Sequence, residues 1–332
     1  MRMIRYATAL AAVLALLSLT LTAGETAAKP ASKTVLCSTF PIYQIARNVA
    51  EGRAGLTLQL MLPAQLGCPH DYALTPQDMQ KIAKADVLVV NGLGLEEFLG
   101  APVGKANPAI AVIDASVGIA DTLPYADGNH DEDADGHDHE EAAHDAKEAG
   151  HHPGEEHHHT GVNPHGFASP RMAARLTATI AAGLSKADPD GAALYAKNAG
   201  AYAARLNTLA DNMSALGAKL KNPRIVQPHG VFDYLARDMG LTIVAVMQAH
   251  GQEPSAAQMI ELVKTVKTEK AGAIVTEPQY PEKAGRVLAK ETGIPVITLD
   301  PAASGPENAP LTYYETVMQR NMKTLQETLG TK

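Results

Sequence analysis

The segment at residues 188–221, DPDGAALYAKNAGAYAARLNTLADNMSALGAKLK, decides how the rest of the chain is organised. It opens with Asp188-Pro189-Asp190, in which an N-cap side chain precedes a proline at the first helical position. Its apolar residues then recur at intervals of four and three: Tyr202, Leu206, Leu209, Met213, Leu216 and Leu220. This one-sided pattern predicts a helix of about 30 residues and about 45 Å, long enough to join two lobes. A coiled-coil dimer is the alternative, but the stripe is short for one, and we expect a monomer.

Four strand signals precede this helix and four follow it. Short runs rich in Val, Ile and Leu alternate with helical patterns, which is typical of βαβ units and parallel sheets. The predicted strands are 34–39, 56–62, 87–91, 110–113, 224–227, 242–247, 273–276 and 296–299. Capping signals at Thr75-Pro76-Gln77-Asp78 and Ser255-Ala256-Ala257-Gln258 begin two further helices. We therefore predict an α/β fold of two (β/α)4-like lobes, 33–187 and 222–330, joined by the long helix of 188–221.

The first residues of the chain predict export. Arg2 and Arg5 precede an apolar run over 7–21 and then small residues, a pattern typical of a secretory signal peptide at 1–28, cleaved between 23 and 28. The run has about 15 residues, fewer than the roughly 20 that a membrane-spanning helix needs. We therefore expect a soluble, exported protein after cleavage.

The two cysteines of an exported protein lie where thiols oxidise. Cys37 ends the first predicted strand and Cys68 follows the second, so neighbouring strand ends could bring the two thiols together. We predict a disulfide between Cys37 and Cys68. Two unpaired buried thiols, or Cys68 as a metal ligand beside His70, are the alternatives.

The histidines and the negative charge are concentrated in one window, 127–160. The chain has 332 residues, 13 His and a net charge of −8. The window holds one Lys against twelve Asp and Glu, whereas the rest of the chain carries a net charge of +3. Outside the window, Lys and Arg do not cluster in a way that suggests nucleic-acid binding. Its nine histidines are His130, His137, His139, His144, His151, His152, His157, His158 and His159. We predict a disordered loop whose histidines capture zinc weakly and pass it to a cleft elsewhere in the protein. The alternatives are that the loop senses or buffers metal, or that it is a dispensable insertion.

Three of the four remaining histidines directly follow a proline and lie after predicted strands. They are His70, His165 and His229. Because ligands bind beyond the carboxyl ends of strands in open α/β sheets, we expect these imidazoles to converge on one cleft. Neutral imidazole suits Zn(II), and Asp300 after the last strand would complete a tetrahedral site, with Glu277 as the rival fourth ligand. His250, which lacks the proline, is expected to have a surface or supporting role.

The motifs around these residues carry a family resemblance. They read PHDY at 69–72, NPH at 163–165, HGVFDYL at 229–235, EPQY at 277–280 and LDP at 299–301. With them, the chain resembles the ZnuA-type zinc-binding proteins of bacterial ABC importers, in the cluster A-I substrate-binding family. The resemblance implies two α/β lobes bridged by a long rigid helix, metal between the lobes and a membrane permease as partner. Relatives tend to have His at the position of His229 when they carry zinc, and Glu when they carry manganese. They more often read Asp-Pro-His-Val-Trp where this chain has Asn163-Pro164-His165-Gly166-Phe167.

These observations predict a non-enzymatic Zn(II) carrier. A zinc-dependent hydrolase is the alternative from another class, and a carrier of manganese or another divalent metal, or a metal buffer, is a third possibility. A hydrolase needs an open coordination position and a nearby base, and Asp300 would close that position. No His-Glu-x-x-His or Gly-x-Ser-x-Gly motif occurs in the sequence either.

Overall fold

Eight short strands build two separate sheets within the residues that the computed structural model describes, 32–69, 72–125, 161–248 and 253–332. The strands are β1 Lys33–Cys37, β2 Leu56–Leu60, β3 Val87–Val90, β4 Ala111–Asp114, β5 Arg224–Gln227, β6 Thr242–Val246, β7 Ala273–Thr276 and β8 Val296–Thr298. All neighbouring pairs are parallel, and the sheets have the matching orders β2-β1-β3-β4 and β6-β5-β7-β8. The eight predicted strands are confirmed, with ends that differ by two residues or fewer.

Helices cover both faces of each sheet. They are α1 Phe40–Val49, α2 Pro76–Lys84, α3 Gly100–Ala106, α4 Pro170–Ala187, α5 Ala192–Gly217, α6 Asp233–Met239, α7 Ala256–Thr268, α8 Lys283–Thr292 and α9 Tyr313–Leu329. Short 3-10 turns occupy Glu97–Leu99, His165–Ala168, Pro189–Gly191 and Gly230–Phe232. The two predicted capping boxes are confirmed: the Thr75 and Ser255 side chains accept from the backbone of Asp78 and Gln258, whose side chains accept in return.

The strand residues alternate between two hydrophobic layers, because successive side chains of a strand point to opposite faces. In the first sheet, Val35 faces the central core, whereas Leu36 packs with the helices of the outer face. In the second sheet, Ile225 likewise faces the central core, and Val226 packs with the helices of the outer face. The central core runs without interruption from one sheet through α4 and α5 to the other, and Lys33–Lys332 accordingly forms one compact unit.

The predicted long helix is observed as α5, which has 26 residues and is about 39 Å long. All six apolar residues of the stripe are buried, as predicted. The helix packs along α4, contacts α1 in the first lobe and contacts α6 and α9 in the second, so it joins the lobes. At its C-terminal end, a Cβ on Gly217 would lie 1.8 Å from the carbonyl oxygen of Met239, so this close approach requires glycine.

Asp188 does not cap the helix as the sequence predicts. Its side chain makes no capping hydrogen bond; its carboxylate instead accepts two hydrogen bonds from Arg53, at 2.7 and 2.8 Å, and one from the Tyr195 hydroxyl. A charge-assisted bidentate pair outcompetes a cap in this position. Asp188 therefore ties the start of the long helix to the loop before β2.

Several predicted features fall outside the described residues. They are the signal peptide at 1–28, His70, the His-rich window at 127–160 with its nine histidines, and His250. No helix in the described ranges is both long enough and apolar enough to cross a membrane.

Candidate metal centre

Three side chains from distant parts of the chain meet where the two lobes face each other. One donor atom from each of Cys68, His165 and His229 lies within 4.8 Å of the other two. Cys68 lies in the loop between β2 and α2, His165 begins a 3-10 turn, and His229 follows β5 by two residues. The structure thus brings together two of the three histidines that the sequence singled out, and places beside them Cys68, whose thiol was named as an alternative metal ligand.

Asn163 holds the His165 ring in a defined orientation. His165 is completely buried, and its Nδ1 lies 2.8 Å from Oδ1 of Asn163, which also accepts the backbone N–H of His165. A carbonyl oxygen can only accept, so Nδ1 carries the ring proton and Nε2 keeps its lone pair. The amide nitrogen of Asn163 donates across the lobe interface to the Gly230 carbonyl and the Asp233 carboxylate, both at 2.7 Å. This orienting contact is typical of metal-ligating histidines.

His229 is held beside a buried carboxylate. Its side chain is 9% exposed, and its Nδ1 lies 3.0 Å from Oε1 of Glu277, although without hydrogen-bond geometry. The other Glu277 oxygen accepts from Gln279 at 2.6 Å. Nε2 of His229 is buried and has no hydrogen-bond partner among the described residues. A buried nitrogen without a hydrogen-bond partner destabilises the folded protein unless a ligand binds it.

The predicted disulfide is not formed, and both cysteines are free thiols. Cys37 is completely buried in the central core, where burial raises the pKa of its thiol. The Cys68 sulfur instead lies 3.0 Å from Nε2 of His165. The prediction was wrong because being at the ends of neighbouring strands does not decide where a side chain points. The alternative of unpaired thiols is the one observed.

The two carboxylates named as fourth-ligand candidates differ in position. Glu277 directly follows β7 and touches His229, but Asp300 is not part of the Cys68, His165 and His229 group. One Asp300 carboxylate oxygen accepts the Ala302 backbone N–H at 2.8 Å, and the other lies 3.7 Å from Arg320. The Asn321 side chain fixes the backbone of Asp300 from both sides.

Burial dominates the electrostatics of this region. It raises the pKa of the Cys68 thiol, with Glu277 and then Glu96 as the charges that add to the effect. Burial also raises the pKa of Asp300. A cation bound among these groups would offset the excess of negative charge.

Glu96 is a buried carboxylate near this region that the sequence reasoning missed. It accepts hydrogen bonds from the Ser38 hydroxyl and from the Asn91 and Gly92 backbones, and burial raises its pKa to about 7. A signal existed, because Glu96 follows β3 just as the predicted ligands follow their strands.

The donor set suits a borderline or soft divalent cation. Two imidazoles and a thiol are ligands that Zn(II) takes readily, whereas Mn(II) prefers more oxygen. The unpartnered Nε2 of His229 fits such an ion, because metal coordination would satisfy it. The described residues of the site can therefore hold a transition-metal ion.

Comparisons with known proteins give a consistent result. The profile of the family described as "Zinc-uptake complex component A periplasmic" matches residues 35–328. The chain is 30% identical over 301 residues to the zinc-binding lipoprotein AdcA of Streptococcus pneumoniae, covering 89% of this chain and 55% of AdcA. It is 28% identical over 303 residues to the high-affinity zinc uptake system protein ZnuA of Bacillus subtilis, covering 90% of this chain and 88% of that protein.

The fold is likewise similar to that of solved binding proteins. The substrate-binding protein FpvC of Pseudomonas aeruginosa, solved in complex with Mn2+, superimposes with a TM-score of 0.72 at 28% identity, covering 90% of this chain and 98% of FpvC. The chain spans about half the length of AdcA and most of the length of the other two. Since the family profile covers most of the chain, this chain belongs to the ZnuA family.

Proposed function

We propose that the protein binds Zn(II) in the periplasm and delivers it to the membrane permease of an ABC importer. One observation carries the proposal: two buried histidines meet at the lobe interface, and Nε2 of His229 has no hydrogen-bond partner among the described residues. His165 is oriented by Asn163, and His229 is held beside Glu277. Preorganised imidazoles bind metal without the cost of ordering flexible side chains.

The ligand set that we propose extends beyond the two described histidines. His70, two residues from Cys68 in the sequence, supplies a third imidazole to this site. Among the carboxylates, Asp300 and its rival Glu277 are the candidates for the fourth position. Three imidazoles and one anionic ligand satisfy the tetrahedral preference of Zn(II).

The sequence and the relatives support the proposals that the protein is exported and that its partner is a membrane permease. The apolar N-terminal run supports secretion, and the family description names a periplasmic uptake component. The B. subtilis relative is named as part of a high-affinity zinc uptake system, which supports a permease as partner. Membership in a family of uptake components favours a carrier over the hydrolase.

Manganese is the competing cargo, because FpvC binds Mn2+ in its solved structure. The imidazole and thiol donors of the described cluster favour zinc over manganese. We therefore expect Mn(II) to fail to displace Zn(II) at equal concentration.

His229→Ala tests the proposal most directly. Zinc affinity is measured by competition with a chelator at less than one equivalent of zinc, so that only the tightest site fills. Loss of a ligand should weaken this site by more than the roughly 10–100-fold that loss of a supporting residue costs. His250→Ala is the matched control and should bind as the unmodified protein does. Unchanged affinity in His229→Ala would overturn the proposal, as would turnover of ester or peptide substrates that depends on His229.

A further inference from the structure

The Cys68 thiol lies where a metal ligand would lie. Its sulfur is 3.0 Å from Nε2 of His165, the nitrogen that keeps its lone pair. Around a tetrahedral zinc ion, a thiolate sulfur and an imidazole nitrogen are about 3.5 Å apart, given bond lengths of about 2.3 and 2.0–2.1 Å. The spacing within the Cys68, His165 and His229 group, 4.8 Å or less, is close to that of ligands sharing one ion.

A second observation points to a ligand in the same place. The His229 side chain is more than nine-tenths buried, and its Nε2 has no hydrogen-bond partner among the described residues. A hydrogen bond between Cys68 and His165 alone would leave this nitrogen unsatisfied. One cation that binds the sulfur and both Nε2 atoms would satisfy all three groups.

The carboxylates compete less well for the fourth position. Asp300 commits one oxygen to the Ala302 backbone, lies near Arg320 and stands outside the cluster. Glu277 approaches Nδ1 of His229, the ring nitrogen that would not coordinate if Nε2 does. That contact lacks hydrogen-bond geometry, and Glu277, like Asp300, is not part of the group of three donor residues.

We propose that the Cys68 thiolate is the anionic ligand of the bound ion, beside His165 and His229. This inference rests on the proposed function and names the residue that sharpens its metal preference. On binding, the S–H bond breaks, its proton leaves to solvent, and a sulfur lone pair forms the bond to the metal; nothing is oxidised or reduced. A thiolate favours Zn(II), Cd(II) and Co(II) over Mn(II).

Cobalt substitution provides the test, because thiolate–Co(II) bonds give a charge-transfer absorption that imidazole and carboxylate ligands do not. The metal-free protein is loaded with less than one equivalent of Co(II). We expect this band in the near ultraviolet for the unmodified protein and for Cys37→Ala, and its complete loss in Cys68→Ser and Cys68→Ala. Cobalt binding without the band, or the same band in folded Cys68 variants, would overturn the role of Cys68 and leave the proposed function intact. Failure to bind either Co(II) or Zn(II) would overturn both.

A measurement without any variant guards against misfolding of the Cys68 substitutions. Cys68 is less buried than Cys37, so iodoacetamide at mildly alkaline pH, which offsets the raised pKa of the Cys68 thiol, should alkylate Cys68 in preference to Cys37 in the metal-free protein. Alkylation at each cysteine is followed by mass spectrometry, with and without one equivalent of Zn(II). Zinc should slow the modification of Cys68 at least tenfold. An unchanged rate in the zinc-loaded protein contradicts coordination by the thiol.

Discussion

Asn163 shows how one amide can serve both lobes of the site. Its oxygen fixes the ring of His165, and its nitrogen donates to the Gly230 carbonyl and the Asp233 carboxylate. An aspartate, which the resemblance associates with this position in relatives, could accept from His165 but could not donate to Asp233. The asparagine that this chain has in place of the usual aspartate therefore suits its neighbour Asp233, to which it donates a hydrogen bond.

Asn163→Asp should lower the stability of the protein at neutral pH. The substitution replaces the donor 2.7 Å from the Asp233 carboxylate by a second acceptor, and like charges at that distance cannot both ionise. We expect a loss of about 1–3 kcal/mol in the free energy of unfolding, measured by urea denaturation without metal. Part of this loss should be recovered as the pH falls, since the folded pair then binds a proton that the unfolded chain binds less tightly.

The double variant Asn163→Asp with Asp233→Asn is the control for that experiment. It restores an amide–carboxylate pair with the donor on the opposite side, while Gln227 keeps an acceptor at position 233. Its stability should lie closer to that of the unmodified protein than the single variant does. If Asn163→Asp is as stable as the unmodified protein at pH 7, the role assigned to this amide is wrong.

At the scale of elements, the two ends of α5 are fixed by different means. Its C-terminal end lies against the backbone of Met239, an approach that only Gly217 permits. Its N-terminal end follows Asp188, whose carboxylate is bound by Arg53 and Tyr195. The hydrophobic stripe between these ends fills the core that both lobes share.

The ion pair at Asp188 predicts a loss of stability in acid. The hydrogen bonds from Arg53, which are the main cause, lower the pKa of Asp188 from its usual 3.8 to about 2, and its side chain is only 8% exposed. A carboxyl group whose pKa is lowered by folding stabilises the fold at pH values above its unfolded pKa. This stabilisation is lost as the pH falls through its folded pKa. The carboxylate therefore contributes about 2 kcal/mol above pH ~4, and this contribution disappears between pH ~4 and ~2.

Asp188→Asn should be less stable than the unmodified protein by about that amount at pH 6, and the difference should vanish near pH 2. Urea unfolding at several pH values, in the presence of a chelator, measures it. Asp190→Asn is the matched control, because Asp190 is 4.0 Å from Arg53 with a side chain 88% exposed, and should have little effect. A stability difference that does not change with pH would contradict this origin.

For the molecule as a whole, the two sheets share one strand order and place their loops at a common interface. Cys68 and His165 come from the first lobe and His229 comes from the second, so the candidate site exists only when both lobes are in place. Hydrogen bonds from Tyr234 to the carbonyl of Asn163 and from Tyr314 to the carbonyl of Phe167 add to the contacts that position His165. Metal binding should therefore stabilise these contacts between the lobes, and weakening the contacts should lower the affinity for metal.

The His-rich window is anchored at neighbouring points of this framework. Pro124 and Val162 form an antiparallel bridge, and the Tyr125 backbone donates to the Gly161 carbonyl at 2.8 Å. The chain thus enters and leaves the window at adjacent positions, close to the metal cluster, because the centroid of the Tyr125 ring lies 5.7 Å from that of the His165 ring. A short linker can replace 127–160 without stretching either flank.

Deletion of 127–160 should leave one tight zinc site and lower the total zinc bound per chain. The nine histidines are removed together with twelve acidic residues, while His165 and His229 remain. Metal content after equilibrium dialysis at high and low free zinc separates the two classes of site. Loss of the tight site in the deleted protein would mean that the window belongs to the primary site.

The sequence by itself determined the local structure and most of the candidate donors. All eight strands, the stripe of α5 and both capping boxes follow from periodicity and capping chemistry, which act between residues close in the chain. The rule that ligands gather beyond strand ends correctly singled out His165 and His229 as neighbours.

Only the tertiary structure decided which side chains meet and how they are oriented. It separated Cys37 from Cys68, turned Cys68 toward His165, left Asp300 outside the cluster and gave Asp188 a partner 135 residues away in the sequence. The difference is physical: a strand ending a few residues early or late still carries its loop to the same sheet edge. Contacts within hydrogen-bond or coordination distance depend instead on side-chain directions and on packing between segments far apart in the chain.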